Sequence, residues 1–216
     1  MLDRKAPIHV SPTTVPVLAV FIMIASPLAL ASLLLAALCH EVGHYLVLRF
    51  FGAKVEALFV TPFGMRMDVA QHPQLSYGQE WLAVAAGPAV NLLMAPILSG
   101  LGNFCETAYL LAGAHLILGI FNLLPVRPLD GGTLLWLTIA WQTDPFLADR
   151  WSRLVGVLFS AGLLLCGAWL WWREGSPFLL LATVGLLPKG KLGKKTCKRE
   201  KKQVNKHLVN LFTTGE

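Results

Sequence analysis

The sequence predicts an all-α polytopic membrane protein, with about six transmembrane helices and a small β-hairpin or sheet at the membrane surface. Hydrophobic residues make up 55% of the chain and charged residues only 14%, and the mean hydropathy is +0.60. Soluble globular domains carry more charge and less apolar content. In addition, several apolar runs approach the roughly 20 residues that a helix needs to cross a bilayer.

Six apolar runs are the candidate transmembrane segments. The first is near the lower length limit, so we expect it to tilt, to be re-entrant or to thin the bilayer locally. A hinge at Ser26 and Pro27 separates it from the second run. In chain order the runs cover residues 14–25, 28–51, 78–101, 107–124, 154–172 and 177–187.

Positive charge predicts the orientation of these spans. Six crossings place residues 4–5, 49–66, 127–153 and everything after 188 on one face, and only Arg173 of the 18 Lys and Arg residues lies opposite. Positively charged loops stay in the cytoplasm, so both termini are predicted to be cytoplasmic. A single first span over 15–38 is the alternative, but it would spread the positive charge over both faces. A signal peptide would be followed directly by more membrane helix, so an uncleaved anchor is favoured.

The stretch LCHEVGHYLVLRFF, residues 38–51, places the pattern H-E-x-x-H inside an apolar run. On a helix, His40 and His44 share a face and can present two imidazoles to one zinc ion, with Glu41 close enough to reach a metal-bound water. Ionisable groups inside a transmembrane helix are costly and usually mark a functional site. The alternative is a satisfied polar cluster that joins helices. Gly43 lets a second helix or a substrate backbone come near.

Two histidines leave a catalytic zinc one protein ligand short of its usual three. The missing ligand should be an Asp, Glu or His at the same membrane depth. The fourth run returns toward that face and ends in NLLPVRPLDGG, residues 122–132, which brings Asp130 to this depth. The segment is broken by Pro and Gly, and irregular backbone at membrane depth is tolerated where it is buried in protein or lines a cavity.

These motifs resemble those of a known family. HEVGH together with NLLPVRPLDGG resembles the site-2 protease family of zinc intramembrane proteases, peptidase family M50, and AAGPAVN, residues 85–91, is similar to a further motif on its third span. The resemblance extends over residues 33–135. It implies His40, His44 and Asp130 as ligands of one catalytic Zn²⁺ ion, Glu41 as the catalytic base, and Asn122 and Asn91 as substrate-binding residues.

Two further segments resemble one small branch of that family. This branch contains the sporulation protease that processes a pro-sigma factor. The two segments are IHVSP at 8–12 and TPFGM at 61–65. Unlike the best-known members of this branch, the sequence shows no nucleotide-sensing domain after its last apolar run, and it has no room for an inserted PDZ domain. The resemblance therefore gives no support for regulation by either domain.

The resemblance implies that residues 1–188 form a membrane zinc metalloprotease domain in a bacterial cell membrane. It would cut a membrane-tethered protein in or near its transmembrane segment, close to the cytoplasmic face, and release a cytosolic regulator such as a sigma factor. A membrane transporter or scaffold that binds the metal without hydrolysis is the alternative. Glu41 separates the two, because only a hydrolase needs an acid beside the ligand set but outside it. Substrate, inhibitory membrane partner and oligomeric state stay open.

Cleavage of a membrane helix requires local unwinding, because the carbonyls of the helix are hydrogen-bonded internally. Residues 54–68 are predicted to form a strand, a turn at 62–64 and a second strand. We expect an edge of this small sheet to pair with the unwound substrate by strand addition.

Three further features have local interpretations. Residues 189–216 are a basic cytoplasmic tail, in which 189–206 carries nine Lys or Arg residues against Glu200. Attraction to the anionic lipid of the cytoplasmic leaflet or simple enforcement of topology explains it, and we expect no nucleic-acid partner. Asn91 either lines the active site or hydrogen-bonds between packed spans. His115, far from the cytoplasmic end of its run, is predicted to form an interhelical hydrogen bond.

Overall fold

The computed structural model describes residues 8–10, 12, 26–53, 55–61, 64–69, 75–127 and 129–174. All of them belong to the first of the two units into which the chain divides, Met1–Leu186. Their elements are β1 (Ile8–Val10), α1 (Pro27–Phe50), β2 (Val55–Thr61), β3 (Gly64–Val69), α2 (Tyr77–Leu101), α3 (Glu106–Asn122), α4 (Asp130–Gln142) and α5 (Pro145–Glu174). The prediction of a mostly helical membrane protein is confirmed.

Three helices in the described part of the chain are long and apolar enough to cross a membrane, namely α1, α2 and residues Pro145–Arg173 of α5. Helix α3 covers most of the fourth predicted run but has only 17 residues. The first and sixth predicted runs, 14–25 and 177–187, lie outside the described residues. The count of six spans therefore stays a prediction.

The connection between the fourth and fifth predicted runs is more helical than expected. It contains the whole of α4, and α5 begins at Pro145, well before the predicted start at residue 154. Asp149, Arg150 and Arg153 lie in the first turns of α5. Their charge lowers the local hydropathy without disfavouring a helix, so a search for apolar runs misses this part.

Helix α1 has well-defined ends that orient the H-E-x-x-H motif. Ser26 is the N-cap, its hydroxyl accepts a hydrogen bond from the Ala29 N–H at 3.2 Å, and Pro27 occupies the first turn, where its missing N–H costs nothing. At the other end, Gly52 has a φ of 78°, and its N–H donates to the Arg49 carbonyl at 3.0 Å. Glycine adopts this left-handed conformation readily and so ends the helix cleanly.

Helix α2 lies at the centre of the helical assembly. It begins with a capping box in which the Ser76 hydroxyl accepts from the Gln79 N–H and the Gln79 side chain accepts from the Ser76 N–H. It packs against α1, α3 and α4, and α4 in turn packs against α5. Side chains on α2 can therefore contact groups from three other helices.

Small residues face the interior of the assembly, and large apolar residues face outward. The buried hydrophobic residues are mostly alanines, among them Ala36, Ala83, Ala95 and Ala112. Many large apolar side chains are exposed, including Leu46, Leu93, Ile117, Leu158 and Leu165. This distribution is typical of helices in lipid, where small residues allow close helix packing and outward apolar groups meet acyl chains.

The strands before and after α1 in the sequence form one three-stranded sheet. Its order is β1-β2-β3, with β1 parallel to β2 and β2 antiparallel to β3. Ile8 is paired with Leu58, and Thr61 with Gly64. Strand β2 is central, so β1 and β3 are the edge strands among the described residues.

We predict that Gly43→Ala destabilises the packing of α1 on α2. A Cβ at position 43 would lie 2.9 Å from both the Ala86 carbonyl oxygen and Val90 Cγ2, so the backbones would have to separate. Overpacking of this kind costs about 1–3 kcal/mol. Thermal unfolding of the purified protein in detergent would measure a lower Tm.

Gly113→Ala is the matched control. A Cβ at this mid-helix position of α3 meets nothing within 4 Å, and alanine favours the helix by up to about 1 kcal/mol. We expect its Tm to equal or exceed that of the parent protein. An equal loss of Tm in both variants would contradict the close approach of α1 and α2 at Gly43.

Candidate metal centre

Three side chains that are distant in sequence meet between α1 and the first turn of α4. His40 Nε2 lies 2.9 Å from Asp130 Oδ2, and His44 Nε2 lies 3.3 Å from the same oxygen. The two Nε2 atoms are 3.1 Å apart. All three donor atoms lie within 4.8 Å of one another, and this group is the one metal-ligand cluster of His, Cys, Asp and Glu found among the described residues.

The two histidines occupy successive turns of α1, as the spacing of four predicts. Their rings are arranged edge to face, with centroids 4.7 Å apart. His44 donates its Nδ1–H to the Ala83 carbonyl of α2 at 2.8 Å. This hydrogen bond places the proton on Nδ1 and leaves the lone pair of Nε2 directed at the shared centre, which is the tautomer that a metal requires.

The backbone of α2 forms the wall behind the two histidines. A Cβ at Gly87 would lie 2.8 Å from His40 Nε2 and still closer to the ring of His44. Ala83, Gly87 and Asn91 recur every four residues and therefore share one face of α2. Glycine at the middle position lets the helix approach the donor atoms as closely as it does.

The turn between α3 and α4 positions Asp130. Val126 and Leu129 are buried and anchor this turn. A Cβ at Gly132 would lie 2.6 Å from the Arg127 nitrogen, and one at Gly131 would overlap the Leu123 carbonyl. The two glycines therefore allow the turn to fold tightly onto the start of α4, where Asp130 is the first residue.

The donor set fits a zinc ion. Two imidazole nitrogens and one carboxylate oxygen are a ligand set that catalytic zinc sites use, with a fourth position left for water or substrate. Zinc–ligand distances of about 2.0–2.2 Å imply donor separations of about 3.4 Å in a tetrahedron. The observed separations of 2.9–3.3 Å are slightly shorter, and small side-chain rotations would remove the difference.

Asn91 connects His40 to a third histidine. The Asn91 side chain has no exposed surface; its Nδ2 lies 3.3 Å from His40 Nδ1 and its Oδ1 lies 3.0 Å from His115 Nδ1. The predicted interhelical hydrogen bond of His115 is therefore confirmed. Asn91 thus hydrogen-bonds between packed helices, through the His40 nitrogen that faces away from the other donor atoms, and its substrate-binding role stays a prediction.

Glu41 and Asn122 are the remaining predicted site residues. Glu41 follows His40 on α1 and is partly buried. Asn122 is the last residue of α3, and its Nδ2 donates to the Leu118 carbonyl at 3.1 Å. The catalytic role of Glu41 and the substrate-binding role of Asn122 stay predictions.

Three supporting groups were not identified from the sequence as parts of the centre. They are the Ala83 carbonyl, Gly87 and the link from Asn91 to His115. The four-residue spacing of Ala83, Gly87 and Asn91 was available as a signal. It gains its meaning only when α2 is known to pack against the histidine face of α1.

The chain is similar to known metalloproteases. A model of peptidase family M50 matches residues 99–165, which contain Asp130. Stage IV sporulation protein FB of Bacillus subtilis (strain 168) is 31% identical over 172 residues, 78% of this chain and 59% of that protein. A zinc metalloprotease of Methanocaldococcus jannaschii is 31% identical over 142 residues, 62% of this chain and 41% of that protein. The chain thus spans less than two thirds of the length of these relatives.

The fold is also shared with a solved structure. The site-2 protease from Methanocaldococcus jannaschii matches 85% of this chain and 89% of its own, with a TM-score of 0.63 and 23% sequence identity.

We predict that Gly87→Ala prevents normal zinc binding. The added Cβ would occupy space beside both Nε2 atoms, so the imidazoles must rotate away from Asp130. We expect zinc affinity to fall by more than about tenfold, the lower limit for disturbing groups that orient a ligand. Zinc content of the purified protein, measured by atomic emission after dialysis against a weak chelator, tests this.

Gly100→Ala in the same helix is the control, because a Cβ there meets nothing within 4 Å. It should retain parental zinc content. Full zinc content in Gly87→Ala would show that the donor atoms do not meet at this wall of α2.

Proposed function

We propose that this chain, which is similar to metalloproteases of peptidase family M50, is a zinc-dependent intramembrane endopeptidase of the site-2 protease family. Its substrate is a membrane-tethered protein, cut in or near the transmembrane segment. The convergence of His40, His44 and Asp130 beside Glu41, within a bundle of apolar helices, is the observation that carries this proposal. His40 is buried and His44 and Asp130 are partly buried, and ionisable groups of this kind are costly in a membrane unless they have a function.

The residues divide into a ligand set and a proton carrier. His40, His44 and Asp130 hold the zinc ion, which when bound activates water as a nucleophile and polarises a peptide carbonyl. Glu41 lies next to a ligand in the sequence but outside the set, where it takes the proton of the attacking water. It then delivers that proton to the leaving amine, so its charge is restored at the end of each cycle.

The small sheet offers a way to hold an unwound substrate. Its strand order places β3 at one edge and β1 at the other. An extended substrate segment added to such an edge satisfies the backbone hydrogen bonds that it loses on unwinding. Asn122, at the end of α3 and eight residues before Asp130 in NLLPVRPLDGG, binds the substrate strand or the oxyanion in this proposal.

The proposal also includes the topology and the partners. Residues 1–188 form the protease domain, with about six spans and both termini in the cytoplasm, as the positive charge distribution supports. Cleavage near the cytoplasmic face then releases a cytosolic regulator, such as a sigma factor from its precursor. Residues 189–216 are the basic tail, and 189–206 contacts anionic lipid of the adjacent leaflet.

We predict that Glu41→Gln abolishes cleavage and retains zinc. Glutamine keeps the shape of the side chain but cannot accept the proton of the attacking water, and loss of a general base lowers rates by about 10²–10⁴-fold. Fragments of a co-expressed membrane-tethered substrate are read by immunoblot, and zinc is measured on the same purified protein. Asp130→Asn is the comparison variant, because it should lose both zinc and cleavage.

The same measurement separates the protease from a metal transporter or scaffold. If Glu41→Gln retains zinc and still produces the fragments, Glu41 is not the base and the protease proposal fails.

A proline scan of β3 tests strand addition. Successive N–H groups of an edge strand point alternately toward β2 and away from it. Proline at the outward positions among Met65, Arg66, Met67 and Asp68 should therefore reduce cleavage and leave Tm and zinc content unchanged. Proline at the inward positions should lower Tm. Normal cleavage in all four variants would contradict pairing at this edge.

A further inference from the structure

A chain of three buried polar side chains runs from the metal centre across the helical assembly. His40 on α1, Asn91 on α2 and His115 on α3 are 4%, 0% and 1% exposed. Their contacts are 3.3 Å from His40 Nδ1 to Asn91 Nδ2 and 3.0 Å from Asn91 Oδ1 to His115 Nδ1. Buried polar groups between membrane helices are costly unless each is satisfied, so this arrangement calls for a reason.

The packing of α3 on α2 brings His115 to this position. Gly119, one turn after His115, lies so close to α2 that a Cβ there would be 3.2 Å from Asn91 Cβ. The absence of a side chain at 119 allows α3 to approach Asn91 directly. His115 then reaches the amide of Asn91 but not the zinc ligands themselves.

Hydrogen-bond chemistry restricts what each group in this chain can do. With Asn91 Nδ2 toward His40 Nδ1, at 3.3 Å, the amide donates, and the proton of His40 would then be on Nε2, 2.9 Å from Asp130 Oδ2. A histidine that binds zinc through Nε2 is neutral and carries its proton on Nδ1. That Nδ1–H must meet an acceptor, and an amide nitrogen is not one.

Zinc binding therefore requires the Asn91 amide in the opposite orientation. With Oδ1 toward His40, the amide accepts from His40 Nδ1–H, and Nδ2 then faces His115 Nδ1. His115 can accept that hydrogen bond only when its own proton is on Nε2. A histidine satisfies either orientation of the amide by changing tautomer, whereas an apolar residue satisfies neither.

We propose that His115 is a positioning residue that acts through Asn91 to select the zinc-binding tautomer of His40. Its imidazole accepts from Asn91 Nδ2, which fixes Asn91 Oδ1 as the acceptor for His40 Nδ1–H. Zinc binding at His40 Nε2 thus goes with one orientation of the Asn91 amide and with one tautomer of His115, the one protonated on Nε2. This inference rests on the proposed zinc role of His40, but not on proteolysis.

Zinc affinity of substituted proteins is the first test. His115→Phe keeps a planar ring and removes both ring nitrogens, and we expect its zinc Kd, measured by chelator competition in detergent, to rise by about 10–100-fold. His115→Gln supplies an amide that can accept or donate, so it should recover most of the affinity. Ser160→Ala, at a buried hydroxyl without a hydrogen-bond partner in the described structure, should leave the Kd unchanged.

A double-substitution cycle separates positioning from general packing. In the Asn91→Leu background the link to His40 is absent, so adding His115→Phe should change the Kd little further. An unchanged Kd in His115→Phe alone overturns the proposal. So does a full additional loss of affinity in the Asn91→Leu background, because His115 would then act by another route.

Histidine ¹⁵N NMR on the unsubstituted chain is the second test and does not depend on a variant folding. We expect His115 to carry its proton on Nε2 in the zinc-bound protein. A proton on His115 Nδ1 in the zinc-bound protein overturns the proposal. Neither test measures proteolysis, so failure of the protease proposal in Glu41→Gln and failure of this inference give different results.

Discussion

The contact between His40 and Asp130 is the constraint on which the rest of the structure depends. The two residues are 90 positions apart, and their side-chain atoms lie 2.9 Å from each other inside a set of apolar helices. Lipid provides no hydrogen bonds, so polar groups at this depth must find partners within the protein. The end of α3, the tight turn after it and the start of α4 are all arranged so that a carboxylate meets the histidine face of α1.

Helix α2 makes that meeting stable without contributing a donor atom to the candidate metal-binding group. Its Ala83 carbonyl orients His44, its Gly87 admits both imidazoles and its Asn91 reaches His40 from behind. Metal-ligating histidines are generally held by such partners, which determine the tautomer and the ring direction. The backbone and one amide of a neighbouring helix thus hold both imidazoles in place at the candidate centre.

Small residues at the helix contacts affect both the packing of the helices and the positions of the polar side chains between them. Gly43 lets α1 approach α2, and Gly119 lets α3 approach Asn91. The close spacing has to be produced by van der Waals packing, because the hydrophobic effect gives little drive for association between helices in lipid. The same contacts that hold the helices together therefore determine the distances within the polar chain from His40 to His115.

The sequence alone determined the membrane class and singled out His40 and His44 as a candidate metal-binding pair, because both depend on local information. Apolar content identifies spanning helices, and a spacing of four places His40 and His44 on one helical face. The sequence did not reveal α4 or the early start of α5. In α5 the charged residues of the first turns lower the local hydropathy, so a search for apolar runs does not detect this part of the helix. Only the tertiary structure decided which nitrogen of each histidine faces the centre and what supports it. Those details arise from contacts between α1, α2 and α3. The sequence does not show that Gly87 lies against the two imidazoles or that His115 contacts Asn91.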